Sequence, residues 1–112
     1  MNTERILRQC GLSVRHRGFR ALQECVKLAL EDESKLLSVT KLYQEVSTTS
    51  HLHYRNVERN IRTALDYAWK YGGQEQMEHL FGCELSTKPT AGEMIELLVN
   101  HIQTSREDCD VL

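Results

Sequence analysis

Apolar residues recur along this chain at intervals of three and four, the spacing that collects side chains on one face of an α-helix. Ile6, Leu7 and Cys10 follow Thr3, a capping residue, and Gly11 is the residue type that ends helices in a left-handed conformation, so a first helix is expected over about 3–10. Leu12 to Gly18 reads as a basic loop. Phe19, Leu22, Val26, Ala29 and Leu30 mark a second helix ending near Glu31-Asp32-Glu33, and Leu36, Val39, Leu42, Tyr43 and Val46 a shorter third. The polar run Ser47-Thr48-Thr49-Ser50 is expected to break that helix into a turn. From His53 to Tyr71 the stripe resumes with Val57, Ile61, Ala64, Leu65, Ala68 and Trp69, stopped by Gly72-Gly73, and this fourth helix is the longest.

Gln74 to Phe81 predicts a short fifth helix closed by Gly82, with Met77, Leu80 and Phe81 turned inward. Ser86 to Pro89 reads as a linker. Thr90 with Glu93 three residues on fits the capping box, opening a last helix with Met94, Ile95, Leu98 and Ile102 on its apolar stripe. The final SREDCDVL is expected to fray, which leaves one domain over 1–104 and an acidic tail over 105–112.

With one proline and six glycines, the chain has too few turn residues for a series of strands, and the expected class is all-α. Its 112 residues suit one core, since two domains would each be too small to bury enough surface. Hydrophobic residues at 40% and charged residues at 27% place it among folded rather than disordered chains. No run approaches the roughly 20 apolar residues of a membrane span, and the charged N-terminus does not fit a signal peptide. A cytoplasmic location is expected. Cys10, Cys25, Cys83 and Cys109 form no CxxC pair and read as reduced thiols, the first three filling space near the core.

The net charge of −2 conceals an uneven distribution: +4 over residues 1–30, zero over 31–70 and −6 over 71–112. A basic front and an acidic back suit a domain that presents one face to phosphates. The short third helix, the polar turn and a long fourth helix bearing Arg55, Asn56, Arg59, Arg62 and Asp66 on its outer side make the pattern of a helix-turn-helix, whose second helix reads the major groove. Arginine matches guanine O6 and N7 with a fork of donors, and asparagine pairs with adenine N6 and N7. Glu58 either accepts from cytosine N4 or orients Arg62 across one helical turn. Thr40 and Lys41 at the start of helix three, and His53 at the start of helix four, are candidate phosphate contacts. His16, His51, His53, His79 and His101 match no metal-ligand spacing, and no cofactor is expected. No nucleophile, base and acid ordering and no phosphate loop is present, so an enzyme is not expected.

Four segments carry a more specific signal: GLSVRHRGFRAL near the start, VERNIRTALDYAWKYG from Val57 to Gly72, HLFG from His79 to Gly82, and STKPTAGEMIELL from Ser86 to Leu98. In order and spacing the chain resembles the C-terminal DNA-binding effector domain of the stage zero sporulation protein A family, the response regulators that start endospore formation in Firmicutes. The resemblance implies six helices, with the third and fourth forming the helix-turn-helix and the fourth in the major groove of a promoter element. It places groove-facing roles on Glu58, Arg59 and Arg62, implies two copies on adjacent sites, and suggests that the surface around Gln74 to Glu84 touches the RNA polymerase sigma subunit.

The chain departs from the family in three respects. Asn56 stands where the family has an arginine, with Arg55 one residue earlier and turned by about 100° around the helix, so base preference is expected to differ. Helix three is one residue shorter and lacks the family's proline. The family's phosphoacceptor receiver domain does not precede this one, so phosphorylation is not expected to switch it in the usual way, whether the chain is an excised piece or a product that begins at Met1. The rival expectation is an interaction module that pairs with a full-length regulator or with polymerase and no longer binds DNA.

Overall fold

A computed structural model of the protein describes residues 3–50 and 53–111, and the side chains of these except Ser50 and those after Thr104. Among the described residues every regular element is helical: α1 (Thr3–Gln9), α2 (Arg17–Glu31), α3 (Val39–Ser50), α4 (Tyr54–Ala68), α5 (Gln74–Phe81) and α6 (Ala91–Val111). A 3₁₀ turn over Glu33–Leu37 joins α2 to α3, and a kinked turn over Trp69–Gly73, with Tyr71 and Gly72 out of helical conformation, joins α4 to α5.

The core is the sum of the predicted stripes. Ile6 and Leu7 from α1, Phe19, Leu22, Cys25 and Val26 from α2, Leu42 and Val46 from α3, Ile61 and Leu65 from α4, Met77 from α5, and Met94, Ile95, Leu98 and Ile102 from α6 are all buried. Full burial of each large aliphatic side chain contributes about 1.5–3 kcal/mol. The central element is α2, which packs on α4, α3, α6 and α1. Its approach to α4 depends on Gly18, because a Cβ there would lie 2.0 Å from the Asn60 carbonyl oxygen. No larger residue fits without separating the two helices.

Several boundaries differ from expectation, each for a local reason. The apolar pattern starts the third helix at about Leu36 and breaks it at Ser47; α3 instead starts at Val39 and runs through to Ser50. Leu36 belongs to the 3₁₀ turn, which Asp32 caps by accepting from the Ser34 amide at 3.1 Å and hydroxyl at 2.7 Å. The hydroxyls of Ser47, Thr48 and Thr49 donate to the carbonyls of Gln44, Glu45 and Val46 at 2.6–3.0 Å, so this polar run satisfies itself within the helix. At its far end α4 stops at Ala68 rather than Tyr71, since Tyr71 leaves the helical region and Gly72 takes a φ of 96°. The capping box forms as predicted: the Thr90 amide donates to Glu93 Oε1 at 3.2 Å and the Glu93 amide to Thr90 Oγ1 at 3.1 Å. The last helix spans Ala91–Val111. Cys83, expected near the core, is exposed, because it follows the positive-φ Gly82 that ends α5 and so leaves the packed surface.

Candidate nucleic-acid interface

α4 has two sides. Val57, Ile61, Ala64, Leu65 and Ala68 are buried, and the opposite side carries Arg55, Arg59, Arg62 and Asp66 in the open. Steps of three and four residues stack these four in one row parallel to the helix axis. α3 packs alongside α4, with Leu42 and Val46 buried, and so forms the first member of the predicted helix pair. Of the residues between them, His51 and Leu52 lie outside the described set.

The start of α4 is set by His53, in extended conformation with its Nδ1 accepting from the Arg55 amide at 3.2 Å. Its carbonyl accepts from the amides of Asn56 and Val57 at 2.8 and 3.2 Å. An imidazole that accepts at Nδ1 carries its proton on Nε2, leaving one donor that the helix start does not use. His53 therefore closes the helix start and stays exposed.

The arginines of the outer row differ in their ties. The Arg55 guanidinium lies over the Tyr54 ring, 5.9 Å from its centroid. Arg62 Nη1 lies 3.6 Å from Glu58 Oε1 across one helical turn, the orienting arrangement considered from the sequence. Glu58 is half-buried, and its charge, after burial itself and the nearby Cys25, helps to push the buried Tyr43 phenol of α3 upward. Among the described residues Arg59 has no side-chain partner, so all five of its N–H donors are available. Asn56 is exposed beside this row. Thr40 and Lys41 are exposed on the first turn of α3 and form no ion pair among the described residues.

Three features of the surface went unread in the sequence. Asp66, the one carboxylate of the outer row, is ion-paired with Lys88 from the segment before α6. That segment is itself fixed to α5, with the Leu85 amide donating to Glu78 Oε2 at 2.6 Å and Gln74 Nε2 donating to the Leu85 carbonyl at 2.9 Å. The rings of His16, Tyr67 and Tyr71 follow one another at centroid spacings of 4.7 Å, tying the loop before α2 to the end of α4. Tyr67 stays 47% exposed, while Trp69 is half-buried against the core as its place on the apolar stripe predicted. A cleft of about 530 Å³ opens between α2 and α3, lined by Arg17, Arg20 and Glu24 on one wall and Val46 and Thr49 on the other. Spacing along one helix did suggest the reach of Glu58 to Arg62, but nothing local links residue 66 to 88 or 16 to 67.

Among the described residues no group of three His, Cys, Asp or Glu side chains is placed to hold a metal ion, and no helix is long and apolar enough to cross a membrane. Compared with known protein families, residues 3–102 match the model described as sporulation initiation factor Spo0A C terminal.

Proposed function

The chain belongs to the sporulation initiation factor Spo0A C-terminal family of DNA-binding regulatory domains, and from that premise we propose that it reads a specific duplex sequence through α4. The observation that carries this reading is the outer row of α4: three exposed arginines on a helix whose opposite stripe is sealed in the core. A rigid mounting of this kind holds guanidinium forks at fixed spacing, as recognition of base edges across a groove requires.

In this reading α4 enters the major groove. Arg59, with no competing partner, reads guanine; Arg62, steadied by Glu58, reads a second position; Arg55 and Asn56 read the bases nearest the helix start. Thr40 and Lys41 on α3, and the Nε2 donor of His53, contact phosphates that border the groove and fix the docking angle. The arginine supplied by Arg55 rather than by position 56 alters the base preferred there. Two copies on adjacent sites would add avidity without new base contacts. The exposed side of α5, with Glu75, Gln76 and His79, is the candidate surface for the polymerase sigma subunit.

The test is a binding titration of wild type and Arg59→Ala on duplexes selected by the wild type from a random pool. A bidentate contact to guanine makes the expected loss about 1–3 kcal/mol on the selected site, with discrimination relaxed at one base position. Unchanged affinity and preference would remove Arg59 from the groove. Absence of any duplex binding by the wild type at low salt would favour the rival interaction module, since contacts to several phosphates strengthen steeply as salt falls.

A further inference from the structure

Outside α4, the densest run of unpaired cations is at the start of α2. Arg15, Arg17 and Arg20 are exposed, and among the described residues none of the three is in an ion pair. The loop that carries the first of them is held in shape, with the Arg15 amide donating to Ser13 Oγ at 3.2 Å and the His16 amide to the Ser13 carbonyl at 3.1 Å. Two contacts fix this segment against α4: the His16 ring on Tyr67, and Gly18 against the Asn60 backbone. On its other side, Arg17 and Arg20 face Val46 and Thr49 near the end of α3 across the open cleft. Arg17 and Arg20 therefore border the cleft to α3, and Arg15 and Arg17 flank in sequence the His16 that contacts α4.

Their distance from α4 decides what they can meet. Packed helices lie about 8–10 Å apart between axes, and the major groove is about 12 Å wide. A helix seated in the groove thus has a phosphate strand along each edge at about the distance of its packed neighbour. On the α4 flank that carries Asn56, Asn60, Thr63 and Tyr67, that neighbour is the start of α2. Glu24, the one carboxylate lining the cleft, sits a full turn beyond Arg20 and away from the His16 end.

We propose that Arg15, Arg17 and Arg20 form a second DNA contact surface, which grips the phosphodiester strand beside the groove that α4 enters. The inference rests on the reading of α4 as the recognition helix and adds to it a site specific for backbone rather than bases. It gives a role to the positive charge of the first thirty residues, which α4 does not use. The stack of His16 on Tyr67 positions the site, because it couples the angle of the basic loop to the end of the recognition helix.

The experiment compares wild type with two triple variants of the full chain: Arg15→Gln/Arg17→Gln/Arg20→Gln, and the same three positions changed to lysine. Affinity is measured over a series of salt concentrations on the selected duplex and on an unrelated one. Removing one cation from a phosphate lowers the slope of log affinity against log salt by about 0.9. The glutamine triple is expected to show a shallower slope and weaker affinity on both duplexes alike while keeping its preference between them, and the lysine triple to keep the wild-type slope. A glutamine triple with the wild-type slope overturns the proposal, as does one that loses preference instead of slope. If Arg59→Ala relaxes preference while the glutamine triple changes nothing, the α4 reading stands and the second surface alone is wrong; a wild type that binds no duplex removes both.

Discussion

The two sides of α4 are built from the same fifteen residues and answer to different physics. On the inner side, Val57, Ile61 and Leu65 are removed from water and held by close packing, so their identity is fixed by volume and shape. On the outer side, Arg55, Arg59 and Arg62 contribute almost nothing to the fold, since one stacks on a neighbouring ring, one makes a loose exposed pair, and one has no side-chain partner among the described residues. A helix that needed its arginines for stability would hold them in bidentate or networked pairs. This one leaves them uncommitted, which keeps their donors free for a ligand.

The largest effect expected is on the inner side. Ile61→Ala removes a fully buried side chain at the crossing with α2 and should cost about 2–5 kcal/mol, measured by urea unfolding. A second readout comes from Cys10 and Cys25, whose buried thiols are pushed up to about 12 by loss of solvation, in Cys25 with help from Glu24. At neutral pH they stay protonated and enclosed, so with Cys83 and Cys109 changed to serine, labelling should proceed only through opening of the core, and faster in Ile61→Ala. Arg59→Ala, the substitution used to test DNA reading, should change unfolding by no more than about 0.5 kcal/mol. If it unfolds the protein, the two sides are not independent.

The inner side was legible in the sequence because it obeys one rule, the three-and-four spacing of apolar residues; Val57, Ile61, Ala64, Leu65 and Ala68 are all where that rule puts them. The outer row was legible for the same geometric reason. Boundaries set by single hydrogen bonds were not. Ser47-Thr48-Thr49 reads as a turn by composition, yet the run is helical, and each hydroxyl is satisfied by the carbonyl three residues earlier. Long-range ties such as Lys88 to Asp66 and His16 to Tyr67 leave no local mark, because they depend on how whole helices are placed. The basic loop at 12–18 was visible as charge, but its position beside α4 follows only from Gly18 and the His16 stack.

Between the two sides lies the helix start, where fold and site share a residue. His53→Ala removes the acceptor of the Arg55 amide and should destabilise the protein by about 0.5–2 kcal/mol, the cost of a lost N-cap. His53→Asn restores the cap without the Nε2 donor. Comparing the two separates capping from phosphate contact: the asparagine variant should recover thermal stability but not the full affinity, with an unchanged salt slope because a neutral imidazole displaces no counterion. Recovery of both would assign His53 to the fold alone.

The smallest effect expected on stability is at the pair of Asp66 and Lys88, and it probes the outer side most directly. Both groups are solvent-accessible, so breaking the pair should cost no more than about 1 kcal/mol. Its effect on binding has a definite sign. Asp66 stands in the arginine row, where an unpaired carboxylate would oppose a phosphate strand, and Lys88 offsets that charge in the free protein. Asp66→Asn removes the carboxylate and frees the lysine, so affinity for any duplex should rise and the salt slope should steepen by up to about 0.9 if Lys88 finds a phosphate. Lys88→Gln leaves the carboxylate exposed and should weaken binding on all duplexes. Opposite signs in these two variants, at nearly equal stability, would support a row that faces the DNA along its whole length; no change in either would mean that the duplex contacts only the first two turns of α4.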